Sequence, residues 1–282
     1  MKPDNFRYFA DLLRARIGIV IDEHKEYLVQ TRLAPIAGTS GYGDVDALLE
    51  ALRRTPDPRL LDAALDAMTT NETFFFRDQT PFDHLRKLLA NPALGKDRPI
   101  RIWSAAASTG QEAYSIAMLW QEMAHCLPGK TIEIVGTDIS SKCLNKAQAG
   151  IYSSFEIQRG LPIQKLMQHF TKSDESWQAK ADLRGMVTWR RHNLMDSAWS
   201  LGKFDIVFCR NVLIYFDLQT RQKILGLIAA QMHAQATLFL GASETTLGVS
   251  NAFSPAKTGA HWTKASDPTQ PLVAPSKIGA HG

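Results

Sequence analysis

Cysteine is scarce and unpatterned in this chain of 282 residues. Cys126, Cys143 and Cys209 are far apart and odd in number, with no C-x-x-C pair and no histidine at ligand spacing. That excludes a disulfide framework and a zinc site and reads as free thiols; no metal is expected. Long apolar runs are missing too, none approaching the roughly 18 residues of a bilayer span. Met1-Lys2-Pro3-Asp4-Asn5 leads into mixed polar and apolar residues, not an apolar leader, so a cytoplasmic protein without direct membrane insertion is expected. There are no internal repeats. The G-x-G-x-x-G fingerprint is absent, which disfavours a nicotinamide dinucleotide.

What is present is ordinary for a globular protein, with 45% hydrophobic and 21% charged residues. The length suits a small domain followed by a medium one. The formal charge of +4 is unevenly placed, because residues 1–90 hold 12 basic and 14 acidic side chains and the excess lies beyond them. Seven basic and three acidic residues fall between Arg159 and Arg191, either a solvated face or a surface for an acidic partner or nucleic acid.

Apolar residues recur at three-and-four spacing through residues 1–90 (Phe6, Phe9, Leu13, Ile17; Leu61, Ala64, Leu65, Met68), predicting a helical domain with Asp44 as an N-cap. A linker is expected at 91–99, around Pro92, Gly95 and Pro99. Strands at 100–104, 132–137, 186–191, 204–209 and 236–241 then alternate with helices near 110–126, 140–149 and 218–233. This predicts an α/β domain over 100–264 with a mostly parallel sheet. Residues 151–192 interrupt the alternation and read as an inserted subdomain, and 265–282 as a disordered tail.

Small residues from Ser104 to Gly110 stand where a strand turns into a helix, the place at which open α/β sheets bind ligands. Glu112 follows, and Thr109 to Glu112 also fits a capping box. Asp138 ends the next strand, where a carboxylate accepts hydrogen bonds from ribose hydroxyls; a turn aspartate ahead of a helix capped by Ser140 is the plainer alternative. A cofactor with a ribose and no phosphate fits the pair, and S-adenosylmethionine is the common one.

Four stretches resemble the chemotaxis receptor methyltransferase family, CheR: MTTNETFFFRD at 68–78, RIWSAAASTGQEAYSIAM at 101–118, VGTDIS at 135–140 and FDIVFCRNVLIYFD at 204–217. The resemblance covers residues 5–264. It implies a class I S-adenosylmethionine-dependent methyltransferase domain with a Rossmann-like, mostly parallel sheet, an all-helical N-terminal domain and a small inserted antiparallel β subdomain. It implies cofactor contacts from Asn71, Thr73, Arg77, Glu112, Asp138, Asn193, Leu194, Asn211 and Val212, and catalytic roles for Arg77 and Tyr215. The implied reaction forms glutamate methyl esters on the cytoplasmic helical region of chemoreceptors, leaving S-adenosylhomocysteine. A monomer recruited to membrane receptor arrays is expected.

The residue types suit that reaction. A glutamate side chain, with a reference pKa of about 4.3, is already an anionic nucleophile, so the enzyme must align and partly desolvate it and needs no general base. His192 is accordingly read as structural. The Asn/Asp-Pro-Pro-Tyr turn of amino-group methyltransferases is replaced by Asn211-Val212-Leu213-Ile214-Tyr215, which favours a carboxylate over a nucleic-acid base. The alternatives are a nucleic-acid methyltransferase, encouraged by the basic insert with Trp177 and Trp189, and a receptor adaptor that senses the cofactor without turnover. Receptor docking is expected from Lys25 and Arg32, with Arg14, Arg16, Arg53 and Arg54. The segment from Phe170 to Trp177 is shortened relative to family members that grip a receptor C-terminal pentapeptide, so recognition without that tether is expected.

Overall fold

A computed structural model describes residues 1–196, 202–256 and 261–265 of the chain. It divides into two compact units, one of residues 1–70 with 215–220 and one of 71–214 with 221–282. Most of the tail expected to be disordered, residues 266–282, lies outside the described residues.

The first unit is built on α1 (Pro3–Ile17), α2 (Glu26–Thr39), α3 (Val45–Arg54) and α4 (Pro58–Met68). Phe9, Leu13, Leu33, Leu48 and Ala64 are fully buried, as their helical spacing predicts. Asp44 caps α3 by accepting from the Ala47 N–H at 2.8 Å, and Asp57 caps α4 from Arg59 and Leu60. At the other end of α4, Arg32 donates to the carbonyls of Ala67, Met68 and Thr69 at 3.4, 2.8 and 3.1 Å. A cation satisfying the last carbonyls of a helix is a structural device. Arg32 is therefore engaged within its own unit, and Arg14 pairs with Asp217 at 2.7 Å.

The second unit begins with α5 (Gln79–Ala90) and continues through β1 (Ile100–Ala105), α6 (Gln111–Met123), β2 (Ile132–Asp138) and α7 (Ser141–Ala149). The boundary differs from the expected linker at 91–99. Phe82, Leu85 and Leu89 of α5 are buried in the same core as Ile102, Ile116, Ile134 and Phe208, so this helix belongs to the α/β unit. The insertion follows as β3 (Ile151–Ser153), α8 (Ser154–Gln158), α9 (Ile163–His169), β4 (Phe170–Ser173), β5 (Ser176–Ala179) and α10 (Ala181–Gly185). Its sheet is antiparallel, in the order β3-β5-β4. The next strand, β6 (Val187–Arg191), pairs in parallel with β2, so the insertion stops short of residue 192. β7 (Phe204–Cys209), α11 (Leu218–Ala230), β8 (Met232–Phe239), β9 (Phe253–Pro255) and β10 (Trp262–Lys264) complete a sheet ordered β6-β2-β1-β7-β8-β10-β9. β8 starts earlier than its apolar run suggests, because its register against β7 shifts between Phe204 and Ile206.

Candidate functional site

β6, β2, β1, β7 and β8 run parallel, so their C-terminal ends share one edge of the sheet. From β1 the chain proceeds outward through β2 to β6, then returns to β7 on the other side of β1. That reversal leaves a crevice beyond the ends of β1 and β7, the general ligand position of open α/β sheets. Seven non-glycine residues among those described have positive φ, and five of them, Phe76, Asp78, Ala106, Ser108 and Asn211, lie in the loops at this edge. Such backbone costs free energy and persists where the surroundings over-determine it.

Hydrogen bonds from buried groups supply that determination. Asp138, 5% exposed at the end of β2, accepts from the Ser108 N–H at 2.8 Å and the Ser140 N–H at 2.9 Å, which fixes its carboxylate beside the β1–α6 loop. Ser140 caps α7 through the Cys143 N–H. The loop from Asn71 to Asp78 is tied down from α6 and its approach: the Ser108 hydroxyl donates to the Asn71 carbonyl at 2.7 Å, and the Phe76 N–H donates to the Ser115 hydroxyl at 2.9 Å. Thr73 lies half-buried in this loop. Asn193 and Leu194 follow β6, whose last residue pairs with Asp138; the Asn193 side chain accepts from the Met195 N–H at 3.0 Å. The second unit thus brings the predicted residues Asn71, Thr73, Arg77, Glu112, Asp138, Asn193, Leu194, Asn211 and Val212 to the strand ends, loops and first turn of α6 at one sheet edge.

Glu112 is not a cap. The residue before α6 is Gly110, with no side-chain cap, and the Thr109 hydroxyl turns to Gln111 instead. Glu112 accepts from the Ser104 hydroxyl at 2.7 Å and from Arg210 at 3.1 Å. Arg210 also donates to the Arg77 carbonyl at 2.8 Å and to Asp78 at 2.7 Å. Its side chain is 2% exposed, and one buried cation therefore joins the end of β7, the start of α6 and the 71–78 loop. Sequence reasoning missed Arg210, although a charge directly after the apolar strand FDIVFC is a visible signal.

Glu244 was missed as well. Its carboxylate accepts four backbone N–H groups: Asn211 and Gly241 at 2.7 Å on one oxygen, Val212 at 2.9 Å and Leu213 at 2.7 Å on the other. This clamp holds the turn in which Asn211 has φ 59°. A Cβ on Gly241 would come within 2.7 Å of the Asn211 side-chain nitrogen, 2.8 Å of the Glu244 carboxylate and 3.0 Å of the Asn211 backbone nitrogen, so the glycine leaves room for this close approach. The available signal was an acidic residue three positions beyond a strand-ending glycine.

Arg77 is half-buried; it covers the Phe74 ring at 5.3 Å and donates to the Glu72 carbonyl at 3.4 Å. Tyr215 ends a short 3-10 turn and belongs by its contacts to the first unit, where its carbonyl accepts from Val20. Cys209 is fully buried, and burial, with the Glu244 and Glu112 carboxylates adding, pushes its thiol well above the usual range, so it is no nucleophile at neutral pH. Burial lowers the pKa of His192, which packs edge-on to Trp103 and suits the structural role expected of it.

The basic stretch from Arg159 to Arg191 is largely engaged internally. Arg159 pairs with Glu72, Lys165 with Glu122, Lys180 donates to the Gln168 carbonyl, and Trp189 packs on the hydrophobic core.

Comparison with known proteins follows the same division. Residues 4–69 match the family model described as CheR methyltransferase, all-alpha domain, and residues 71–261 match CheR methyltransferase, SAM binding domain. The chain is 42% identical over 257 residues to chemotaxis protein methyltransferase 1 of Vibrio cholerae, covering 90% of this chain and 93% of that one. It is 40% identical over 256 residues to the chemotaxis protein methyltransferase of Vibrio parahaemolyticus, with the same coverage. Against that of Escherichia coli it is 34% identical over 245 residues, covering 85% and 84%.

Proposed function

The chain belongs to the CheR methyltransferase family, and from that premise we propose that it uses S-adenosylmethionine to esterify glutamate side chains in the cytoplasmic helical region of bacterial chemoreceptors. The observation that carries this reading is the convergence of Asp138, Glu112 and the Asn211–Leu213 turn on one edge of the sheet, inside a match to a SAM-binding domain.

The residues present fit the cofactor by their chemistry. Asp138 is an oriented carboxylate at the position for ribose hydroxyls. Asn193 and Leu194 would lie beside the adenine, Asn211 and Val212 would line the slot, and Asn71, Thr73 and Glu112 would complete the contacts to the cofactor. The cofactor supplies a methyl group on a sulfonium, whose departure leaves a neutral thioether.

What the protein adds is alignment. The receptor carboxylate arrives ionised, and Arg77 orients it by hydrogen bonds without proton transfer. Tyr215, four residues past Asn211 in the chain, has the role of a hydroxyl donor to the same carboxylate. An ion pair held too tightly would blunt the nucleophile, so a half-exposed Arg77 suits the task better than a fully desolvated one. The nucleic-acid alternative loses support, since the basic insert spends much of its charge internally and Trp189 lies against the core.

The test is methyl transfer from labelled S-adenosylmethionine to receptor cytoplasmic fragments or RNA, followed by mild alkali. Label should enter the receptor and leave as methanol. Alkali-stable label, or label in RNA alone, would overturn the reading.

Recognition without a pentapeptide tether is part of the proposal. β4 and β5 close through only Asp174 and Glu175, with Ser173 opposite Ser176 and no glycine in the turn. Isothermal titration with a free receptor C-terminal pentapeptide is expected to give no binding at micromolar concentration; a clear isotherm there would restore the tether. The protein is proposed to act as a cytoplasmic monomer at membrane receptor arrays, and no described helix is long and apolar enough to cross a membrane.

A further inference from the structure

Arg77 is one end of an alternating stack that continues onto the inserted subdomain. Its guanidinium lies 5.3 Å from the Phe74 ring centre, and Arg159 lies 5.2 Å from the same ring and 5.7 Å from the ring of Phe155. Glu72 fixes Arg159 through a 2.7 Å ion pair. The joint between insertion and loop is tight: Gly160 has φ +86°, and a Cβ there would meet the Phe75 carbonyl oxygen at 2.0 Å and the Phe74 ring at 3.2 Å. The aromatic at the far end is nevertheless 68% exposed. A single exposed phenylalanine is unremarkable on a protein surface. This one is ordered by a cation and stands in line with the residue that orients the substrate.

We propose that Phe155 and Arg159 form a docking surface for an acidic amphipathic helix of the protein substrate, on the stretch that flanks the glutamate methylated beside Arg77. The inference rests on the carboxylate-methylating role proposed above. Two guanidinium groups sharing one ring lie within reach of carboxylates one or two turns apart on a helix, whose pitch is about 5.4 Å. Such a helix offers an acidic side chain to Arg159 in addition to the one at Arg77, and an apolar residue on the same face covers Phe155. Charge complementarity and continuity with the reacting position commit the surface to this occupant. It accounts for an ordered aromatic left in water, which the fold alone does not require.

The experiment uses the full chain, a receptor cytoplasmic fragment and labelled S-adenosylmethionine, with receptor KM, cofactor affinity and thermal stability measured separately. Phe155→Ala and Arg159→Ala should each raise the receptor KM about tenfold, the size of a typical binding hot spot, with cofactor affinity unchanged. Phe155→Ala, at an exposed position, should leave the melting temperature unchanged as well. Glu72→Gln breaks the same ion pair yet leaves Arg159 free for the substrate, so it should not raise the receptor KM. Unchanged KM in both Phe155→Ala and Arg159→Ala overturns the proposal, and so does a Glu72→Gln effect equal to that of Arg159→Ala, since the pair would then be only structural. A wild-type protein that binds the cofactor but transfers nothing to the receptor fells the underlying function and this surface together; wild-type transfer with unaffected variants fells the surface alone.

Discussion

Replacing Glu244 with glutamine is expected to weaken S-adenosylmethionine binding about a hundredfold, which is about 2.8 kcal/mol at ~1.4 kcal/mol per decade. The change is isosteric, so packing alone forecasts almost nothing. The effect comes from acceptor chemistry. A carboxylate offers acceptors on both oxygens, and Glu244 uses them on the N–H groups of Asn211, Val212, Leu213 and Gly241. Glutamine keeps one acceptor oxygen and turns an NH2 group against two of those donors. Each donor left unpaired in a partly buried place costs about 1–3 kcal/mol. The cheapest relief is for the turn to leave its positive-φ conformation at Asn211, carrying Asn211 and Val212 out of the slot proposed for the cofactor. Glu244→Asp retains the acceptors but is one methylene short, and should fall between the wild type and Glu244→Gln. Isothermal titration reads the affinity and circular dichroism checks the fold. A folded Glu244→Gln protein with wild-type affinity would mean that the turn holds itself.

Why this residue escapes a reading of the sequence is instructive. Strands and helices are legible because burial imposes a period, and β1, β2, β7, α6 and α7 lie within a few residues of where apolar spacing puts them. Asp138 and Glu112 are legible because they follow strand ends, where parallel topology concentrates ligands. Periodicity does not say which core a stripe enters. The stripe of α5, Phe82-x-x-Leu85-x-x-x-Leu89, looks like those of α1 and α4, and only tertiary packing assigns it to the α/β unit. The same limit hides support residues. Arg32 reads from the sequence as a surface cation, and its hold on the carbonyls ending α4 is visible only in the structure. Glu244 and Arg210 act mostly on backbone groups and charges tens of residues away, so their local signals, an acid after a strand-ending glycine and a cation after an apolar strand, do not say what they hold.

Arg210 bears the other large effect, and the direction of each part of it can be worked out. Arg210→Met keeps much of the side-chain volume and removes the cation. The carboxylate left behind at Glu112 is 13% exposed and retains the Ser104 hydroxyl as a partner; Asp78, at 46% exposed, recovers solvent and contributes little. Breaking a buried ion pair from one side costs about 3–5 kcal/mol, nearly all of it here from stranding Glu112. At about 2–4 °C per kcal/mol for a unit of this size, the melting temperature should fall by roughly 10 °C. Arg210→Lys should recover only part, because a point charge cannot reach Glu112, Asp78 and the Arg77 carbonyl with the fork that arginine presents. Adding Glu112→Gln to Arg210→Met neutralises the stranded carboxylate and should return most of the stability. It should not return turnover: the 71–78 loop is still released at Arg77 and Asp78, and misplacement of an orienting group by about 1 Å costs about a hundredfold in rate. Differential scanning calorimetry and receptor methylation therefore part company in the double variant. Recovery of both would reduce Arg210 to a counter-ion for Glu112; recovery of stability with turnover far below that of the Glu112→Gln single variant, which carries whatever that carboxylate does for the cofactor, identifies Arg210 as the group that holds the Arg77 loop in place.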